Sequence, residues 1–173
     1  FDLIITTPYS PASTIPGGIA SVNCYIQNLG TASSPSSNVG YYLSTDNVWD
    51  AGDTYLSYST GSTLAAGSSS YRSSSLTIPS STVPGNYYIL FYADYSNIVT
   101  ETNETNNVNF AAITINTATI DLIITTPNSP ASSIPGGLAS VNCYIQNLGT
   151  ASSSSSNVGY YLSTNNVWDA GDI

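Results

Sequence analysis

Carboxylates are the only side chains present in number that are charged at neutral pH, and they are grouped. Asp46, Asp50 and Asp53 share one short segment, which recurs downstream as Asn165, Asp169 and Asp172. Glu101 and Glu104 share a second segment with Asn103, bordered by Asp94, Asn97, Asn106 and Asn107. Asp2 and Asp121 complete the set. Clustered like charges need solvation or a counter-charge, and Arg72 is the sole cation in a chain without Lys or His. Oxygen ligands unaccompanied by imidazole or thiolate suit calcium better than zinc. The candidate metal ligands are therefore Asp46, Asp50, Asp53, Glu101, Asn103, Glu104, Asp121, Asn165, Asp169 and Asp172. The Asp-x3-Asp-x2-Asp spacing is not that of an EF-hand. The alternative is two solvated acidic loops in which Asp and Asn form turns. Asn165 in the place of Asp46 keeps a carbonyl oxygen at lower charge.

Catalysis has little to work with. Ser- or Cys-based hydrolysis lacks its usual base. A carboxylate pair for glycoside hydrolysis is formally available, but nearly identical tandem copies characterise spacers rather than enzymes. No catalytic residue is assigned, and the chain is read as not an enzyme. A net charge of −9 excludes nucleic acid and anionic membrane surfaces as partners. No apolar run approaches the roughly 18 residues of a membrane span, so no membrane insertion is expected. The start at Phe1 lacks a basic signal-peptide region and an initiator Met, which reads as an internal or processed fragment.

Tyrosine, with 14 copies, is the remaining group able to recognise a ligand. Tyr41-Tyr42 and Tyr87-Tyr88 must place one ring on each face of a sheet. Outward rings are candidates for glycans or for lateral contacts between molecules, or they simply cover a sheet. Trp49 is expected to anchor its own loop against the sandwich rather than to bind sugar. Asn103-Glu104-Thr105 is a weak glycosylation sequon. Cys24 and Cys143 occupy identical strings, one per repeat, and alternate with polar neighbours as small buried hydrophobes, the alternative being a reactive or cross-linking thiol.

The elements that must position these residues come as a repeat. Asp2-Leu3-Ile4-Ile5-Thr6-Thr7-Pro8 recurs from Asp121, an offset of 119 residues (121 − 2), and the match runs to Ile173. The differences are mild: Tyr9/Asn128, Thr14/Ser133, Ile19/Leu138, Pro35/Ser154, Asp46/Asn165 and Thr54/Ile173. Residues 1–117 read as a complete repeat and 118–173 as strands A to C and the following loop of a second. The rest of that copy is expected from a continuing chain in a long array, or else from another molecule.

Apolar residues recur every second position, which predicts strands and no helix. Strand A spans 2–7 and is closed by Pro8; Ile15-Pro16-Gly17-Gly18 is a turn; B spans 19–28, C 37–44, D 55–60, E 70–78, F 86–94 and G 107–115. Seven short strands predict an all-β, immunoglobulin- or fibronectin-III-like sandwich, with Tyr87 or Tyr88 as the tyrosine corner. Its loops fall at two poles. The loop at residues 45–53 lies at one, and the F–G loop lies at the other beside the start of strand A. Calcium held between the Asp46–Asp53 loop, Asp121 and the next F–G loop would stiffen the joint. The linker Asn116-Thr117-Ala118-Thr119-Ile120, without Gly or Pro, favours a stiff rod.

These strings carry a family resemblance. Ile15-Pro16-Gly17-Gly18, Gln27-Asn28-Leu29-Gly30-Thr31-Ala32, Gly40-Tyr41-Tyr42-Leu43-Ser44-Thr45-Asp46, Val83-Pro84-Gly85-Asn86-Tyr87-Tyr88 and Glu101-Thr102-Asn103-Glu104-Thr105-Asn106-Asn107, in this order, resemble a CARDB domain, the cell adhesion related domain found in bacteria. The resemblance implies an extracellular Ig-like module of multidomain surface proteins and names no ligand. The absence of Lys, and Cys24 at a core position, depart from it. The reading is a structural or adhesive repeat module of a secreted prokaryotic surface protein or filament, acting as a stiff spacer beside neighbouring repeats. The alternatives are a carbohydrate- or surface-binding module using exposed Tyr and the acidic loops, and a self-assembling fibre subunit.

Overall fold

The computed structural model describes Phe1–Ile173 and contains no helix, hence none long and apolar enough to cross a membrane. The chain divides into two compact units, Phe1–Ala118 and Thr119–Ile173. The first holds β1 (Leu3–Tyr9), β2 (Ser13–Thr14), β3 (Ile19–Asn28), β4 (Val39–Ser44), β5 (Thr54–Ser59), β6 (Ser69–Thr77), β7 (Gly85–Ala93) and β8 (Val108–Ile115). One sheet has the order β1-β3-β6 and the other β2-β8-β7-β4-β5.

The period-two pattern makes two layers. Along β3, Ala20, Val22, Cys24 and Ile26 are buried while Ile19, Ser21 and Tyr25 are exposed. The facing sheet contributes Val39, Tyr41, Leu43, Ile89, Phe91, Ala93, Ile113 and Ile115. Tyr41 and Phe91 meet edge to face with ring centroids 5.5 Å apart, and the Tyr41 phenol lies 2.9 Å from Ser59 Oγ. Burying each large apolar side chain is worth about 1.5–3 kcal/mol. A one-residue register slip would expose the whole inward set of a strand, so the pattern specifies the pairing.

Three details differ from the expected strand map. Strand A does not end at Pro8. Its register shifts between Thr6 and Tyr9, with Thr7 at φ 46°, because Pro8 has no N–H to offer the ladder and the chain bulges past it. An additional short strand, β2, pairs parallel with β8, so that the chain changes sheets before the turn at Gly17. The strand after C, β5, pairs with β4 across the loop at residues 45–53 and joins the sheet of β7 and β8 instead of pairing with β6. That arrangement departs from the constant-type immunoglobulin order. Tyr87 is the corner residue, its hydroxyl donating to the Val83 carbonyl at 2.9 Å. Tyr88 turns outward against Phe110.

The second unit contains β9 (Leu122–Asn128) and β10 (Asn142–Asn147), paired antiparallel with the same bulge, Thr126 standing at φ 46°. The expected strand C of this copy, around residues 156–163, is not formed. In the first unit β4 lies between β5 and β7; in residues 119–173 the pairing of β4 with β5 is represented by one exchange of backbone bonds, Leu162 with Ile173 at 2.6 and 3.3 Å, where the first unit has Leu43 opposite Thr54.

Candidate functional site

The antiparallel course of the first unit brings the β7–β8 loop to the start of β1, and this pole holds the F–G acids. Glu101 accepts from the Leu3 N–H and, at 3.0 Å, from the Asn107 amide. The Thr102 N–H and hydroxyl each donate to the Phe1 carbonyl at 3.1 Å, and Asn106 Nδ2 donates to Asp2 at 2.9 Å. Burial pushes the Glu101 carboxyl up to about 7; the charges of Glu104 and Asp94 push the same way, against the pull of the Leu3 N–H and the Asn107 amide. Glu104 accepts the Glu101 N–H at 2.7 Å, and Asn103 accepts the Thr105 N–H at 3.1 Å. Asp94, 2% exposed, accepts from Val99 at 2.8 Å, and burial raises its carboxyl as well.

Asn28 closes the same pole and is a structural residue that the sequence pattern alone did not single out. Fully buried, it donates through Nδ2 to the carbonyls of Ala32 at 2.8 Å and Leu64 at 3.0 Å. Its Oδ1 accepts from Asp2 at 3.2 Å and Gly30 at 2.9 Å. Asn147 repeats the local part, accepting from Asp121 and Gly149 and donating to Ala151 at 2.7 Å. The Asn-Leu-Gly string is therefore a turn built around one amide, which in both copies also holds the Asp just before the paired strand.

The opposite pole carries the β4–β5 loop. Asp46 Oδ1 accepts the Val48 N–H at 2.8 Å, Asp50 Oδ1 the Gly52 N–H at 2.6 Å, and Asp53 Oδ2 the Asp50 N–H at 3.0 Å. The second unit repeats the set: Asn165 with Val167 at 2.7 Å, Asp169 with Gly171 at 2.7 Å, Asp172 with Asp169 at 3.0 Å. The loop thus takes its shape from its own sequence, since it forms without the flanking strand C. Asn165 does what Asp46 does, because the bond needs a carbonyl-type oxygen and no charge. A cleft of about 530 Å³ opens between this loop and Thr82, Val83 and Tyr87. No group of three or more His, Cys, Asp or Glu residues is placed to hold a metal ion. The ten expected ligands are divided between the two poles of the first unit and the second unit, and most serve as turn acceptors.

Between the poles, the outward face of the larger sheet is covered by rings. Trp49 folds back from its loop onto Tyr92 and Tyr42, with centroids 5.2 and 6.1 Å away. Tyr42 meets Tyr55 at 5.4 Å, and Tyr95 lies against both Tyr55 and Tyr58, at 6.0 and 5.9 Å. Burial pushes the Tyr55 phenol up to about 12 and raises those of Tyr42 and Tyr92, so all three stay protonated donors. Tyr161 and Trp168 repeat the Tyr42–Trp49 pair at 6.2 Å. Alternation placed single Tyr residues on this face. Trp49 anchors its loop against the sandwich as expected; that Tyr95 also joins the face was not legible, because its contacts depend on where its loop folds.

Of the other side chains of chemical interest, Cys143 is half-buried with its Sγ 3.6 Å from the Tyr160 hydroxyl, while Cys24 and Arg72 are closed off. Cys24 is fully buried and its thiol is pushed up to about 12 by burial, which leaves it a core hydrophobe. Arg72 bonds to Ser70 Oγ at 2.6 Å and to the Tyr71 carbonyl at 2.8 Å rather than to a carboxylate.

With this geometry in place, comparison with known proteins gives a consistent result. The CARDB family model matches residues 1–111 and 119–173. A crystal structure of a CARDB domain from Pyrococcus furiosus, described as in complex with di-metal ions, is 24% identical with a TM-score of 0.50. It covers 66% of this chain and 87% of its own. A solution structure of the same archaeal domain is likewise 24% identical, with a TM-score of 0.51, covering 66% of this chain and 94% of its own. At these identities the likeness concerns the fold. No curated protein matches the chain.

Proposed function

The chain belongs to the CARDB family, a family of cell-adhesion-related domains of surface proteins, and on that premise we propose that it is a non-enzymatic repeat module of a secreted prokaryotic surface protein, serving as an extracellular spacer. The repetition itself carries this reading. Two copies share almost every residue over the overlap, and both build the same Asn-centred turn and the same acidic loop from the same bonds. Selection for such copies suits a part whose role is length and mechanical uniformity. Within the first unit, β1 is held along β3 and pinned at its start by the loop of Glu101 and Thr102, an arrangement suited to load.

Pulling a tandem array of full repeats by single-molecule force spectroscopy tests the proposal. Expected are equal unfolding steps of roughly 400 Å contour, from about 3.3–3.6 Å per residue, at a shared force. Featureless extension at low force would overturn it.

Calcium stiffening is the finer extension. The oxygen-only acidic loops favour it, and the Pyrococcus furiosus domain is described with di-metal ions. The carboxylates here fit a turn-forming role better than a cation cage, so the spacer role is proposed without a metal.

A further inference from the structure

We infer that the outward face of the β4-β5-β7 region is a binding face for a neutral polysaccharide chain, with Trp49, Tyr55 and Tyr58 as its principal contacts. This goes beyond the spacer role and does not depend on it. The face is a connected set of rings: Trp49 touches Tyr42 and Tyr92, Tyr42 touches Tyr55, and Tyr95 bridges Tyr55 to Tyr58. Mutual packing holds the rings in place, yet Trp49, Tyr55 and Tyr58 remain 40%, 47% and 48% exposed. Pre-set rings with two side-chain torsions each offer contact area at low entropic cost. A contiguous aromatic patch of this kind on a surface marks an interaction site.

The distribution of rings is asymmetric. The outward positions of β6 are mainly serines, and the smaller sheet offers only the Tyr25–Tyr71 pair, with centroids 5.5 Å apart, as an outward ring contact. Solubility alone would not concentrate rings on one sheet.

Charge selects the occupant. The carboxylates lie at the two ends of the ring strip: the field of Asp53 reaches Tyr42, and those of Glu104, Asp94 and Glu101 reach Tyr92. An anionic polymer, or a second copy bearing the same net charge of −9, meets repulsion from both ends. The end carboxylates Asp46, Asp50, Asp53, Glu101 and Glu104 already accept N–H groups of the chain itself, and the strip between them, formed by phenols and an indole, carries no charge. A neutral sugar chain has the complementary chemistry, with C–H faces for the rings and hydroxyls for the phenolic oxygens and the carboxylate lone pairs at the rim.

The test is native affinity electrophoresis of the full chain in gels containing xylan, mixed-linkage glucan, glucomannan or dextran, with polygalacturonate as the anionic probe. Poly-L-lysine in solution is the cationic probe, and sedimentation velocity reports self-association. At least one neutral polymer should retard the chain. Trp49→Ala and the Tyr55→Ala/Tyr58→Ala pair, each checked for an intact melting transition, should weaken that retardation by about tenfold or more, the loss of an aromatic anchor. Tyr71→Ala on the other sheet should leave it unchanged. The proposal is overturned if no neutral polymer binds, if only poly-L-lysine or polygalacturonate binds, or if the folded ring variants bind as before. A concentration-dependent dimer abolished by the same variants would also overturn it, by naming a second copy as the occupant.

Discussion

Tyr95 lies directly over Gly40. A Cβ built on Gly40 would stand 2.6 Å from Tyr95 Cγ and 2.8 Å from its Cβ, closer than any carbon pair tolerates. Gly40 sits in the ladder between Tyr58 and Tyr92. A strand interior ordinarily disfavours glycine, and the usual reason to find one there is close approach from above. Here the approaching group is a ring from the loop after β7, and the glycine makes the ring cluster possible.

Gly40→Ala is therefore expected to destabilise the first unit by about 1–3 kcal/mol, the typical cost of overpacking. In a Tyr95→Gly background, which removes both the Cγ and the Cβ, the same substitution should cost far less. Denaturant unfolding of the four members of this double-mutant cycle checks the coupling, and additive losses would count against the contact.

Glu101 predicts an unusual pH dependence. Its folded carboxyl titrates at about 7, above the usual value of 4.5, chiefly through burial. The folded state then binds more protons than the unfolded one between these values, so this group's contribution is fully present below about 4.5 and is lost as the pH rises through about 7. Asp94, raised by burial, adds in the same direction. The melting temperature should fall from pH 5 to pH 8, and Glu101→Gln should flatten that slope while raising stability at pH 8. A wild-type curve rising over this range would refute the assignment.

Asn28 joins three segments through one buried amide. Asn28→Ala leaves several buried backbone groups without partners, at about 1–3 kcal/mol for each one that stays unsatisfied. The variant should unfold at clearly lower denaturant concentration. Asn28→Asp should do no better at neutral pH, because it loses both donors and buries a charge. Equilibrium unfolding of both variants reads this out.

The acidic loop should be indifferent to metal. Its carboxylates are engaged as turn acceptors, and Asn165 forms in the second copy the bond that Asp46 forms in the first. Melting in millimolar calcium and in EDTA should coincide, and Asp46→Asn should be nearly neutral. A calcium-dependent rise of several degrees would restore the cation reading.

The sequence by itself determined the all-β class, the repeat, the inward faces of the strands and the family resemblance. All of these follow from local periodicity or self-similarity: alternation dictates which side chains face a core before any partner strand is known. It also determined the acidic loop and the Asn-Leu-Gly turn, whose bonds link residues a few positions apart and form in both copies.

Tertiary structure decided the rest. β5 joins β4 rather than β6, Glu101 reaches back across the chain to Leu3, and Tyr95 folds onto the outward sheet face. Each of these is a contact between distant segments or a loop trajectory, and alternation within a strand carries no information about either. The candidate calcium ligands stood at two poles already in the sequence reading; what only the fold adds is that Glu101 is engaged by the Leu3 N–H, while most of the others accept N–H groups within their own turns.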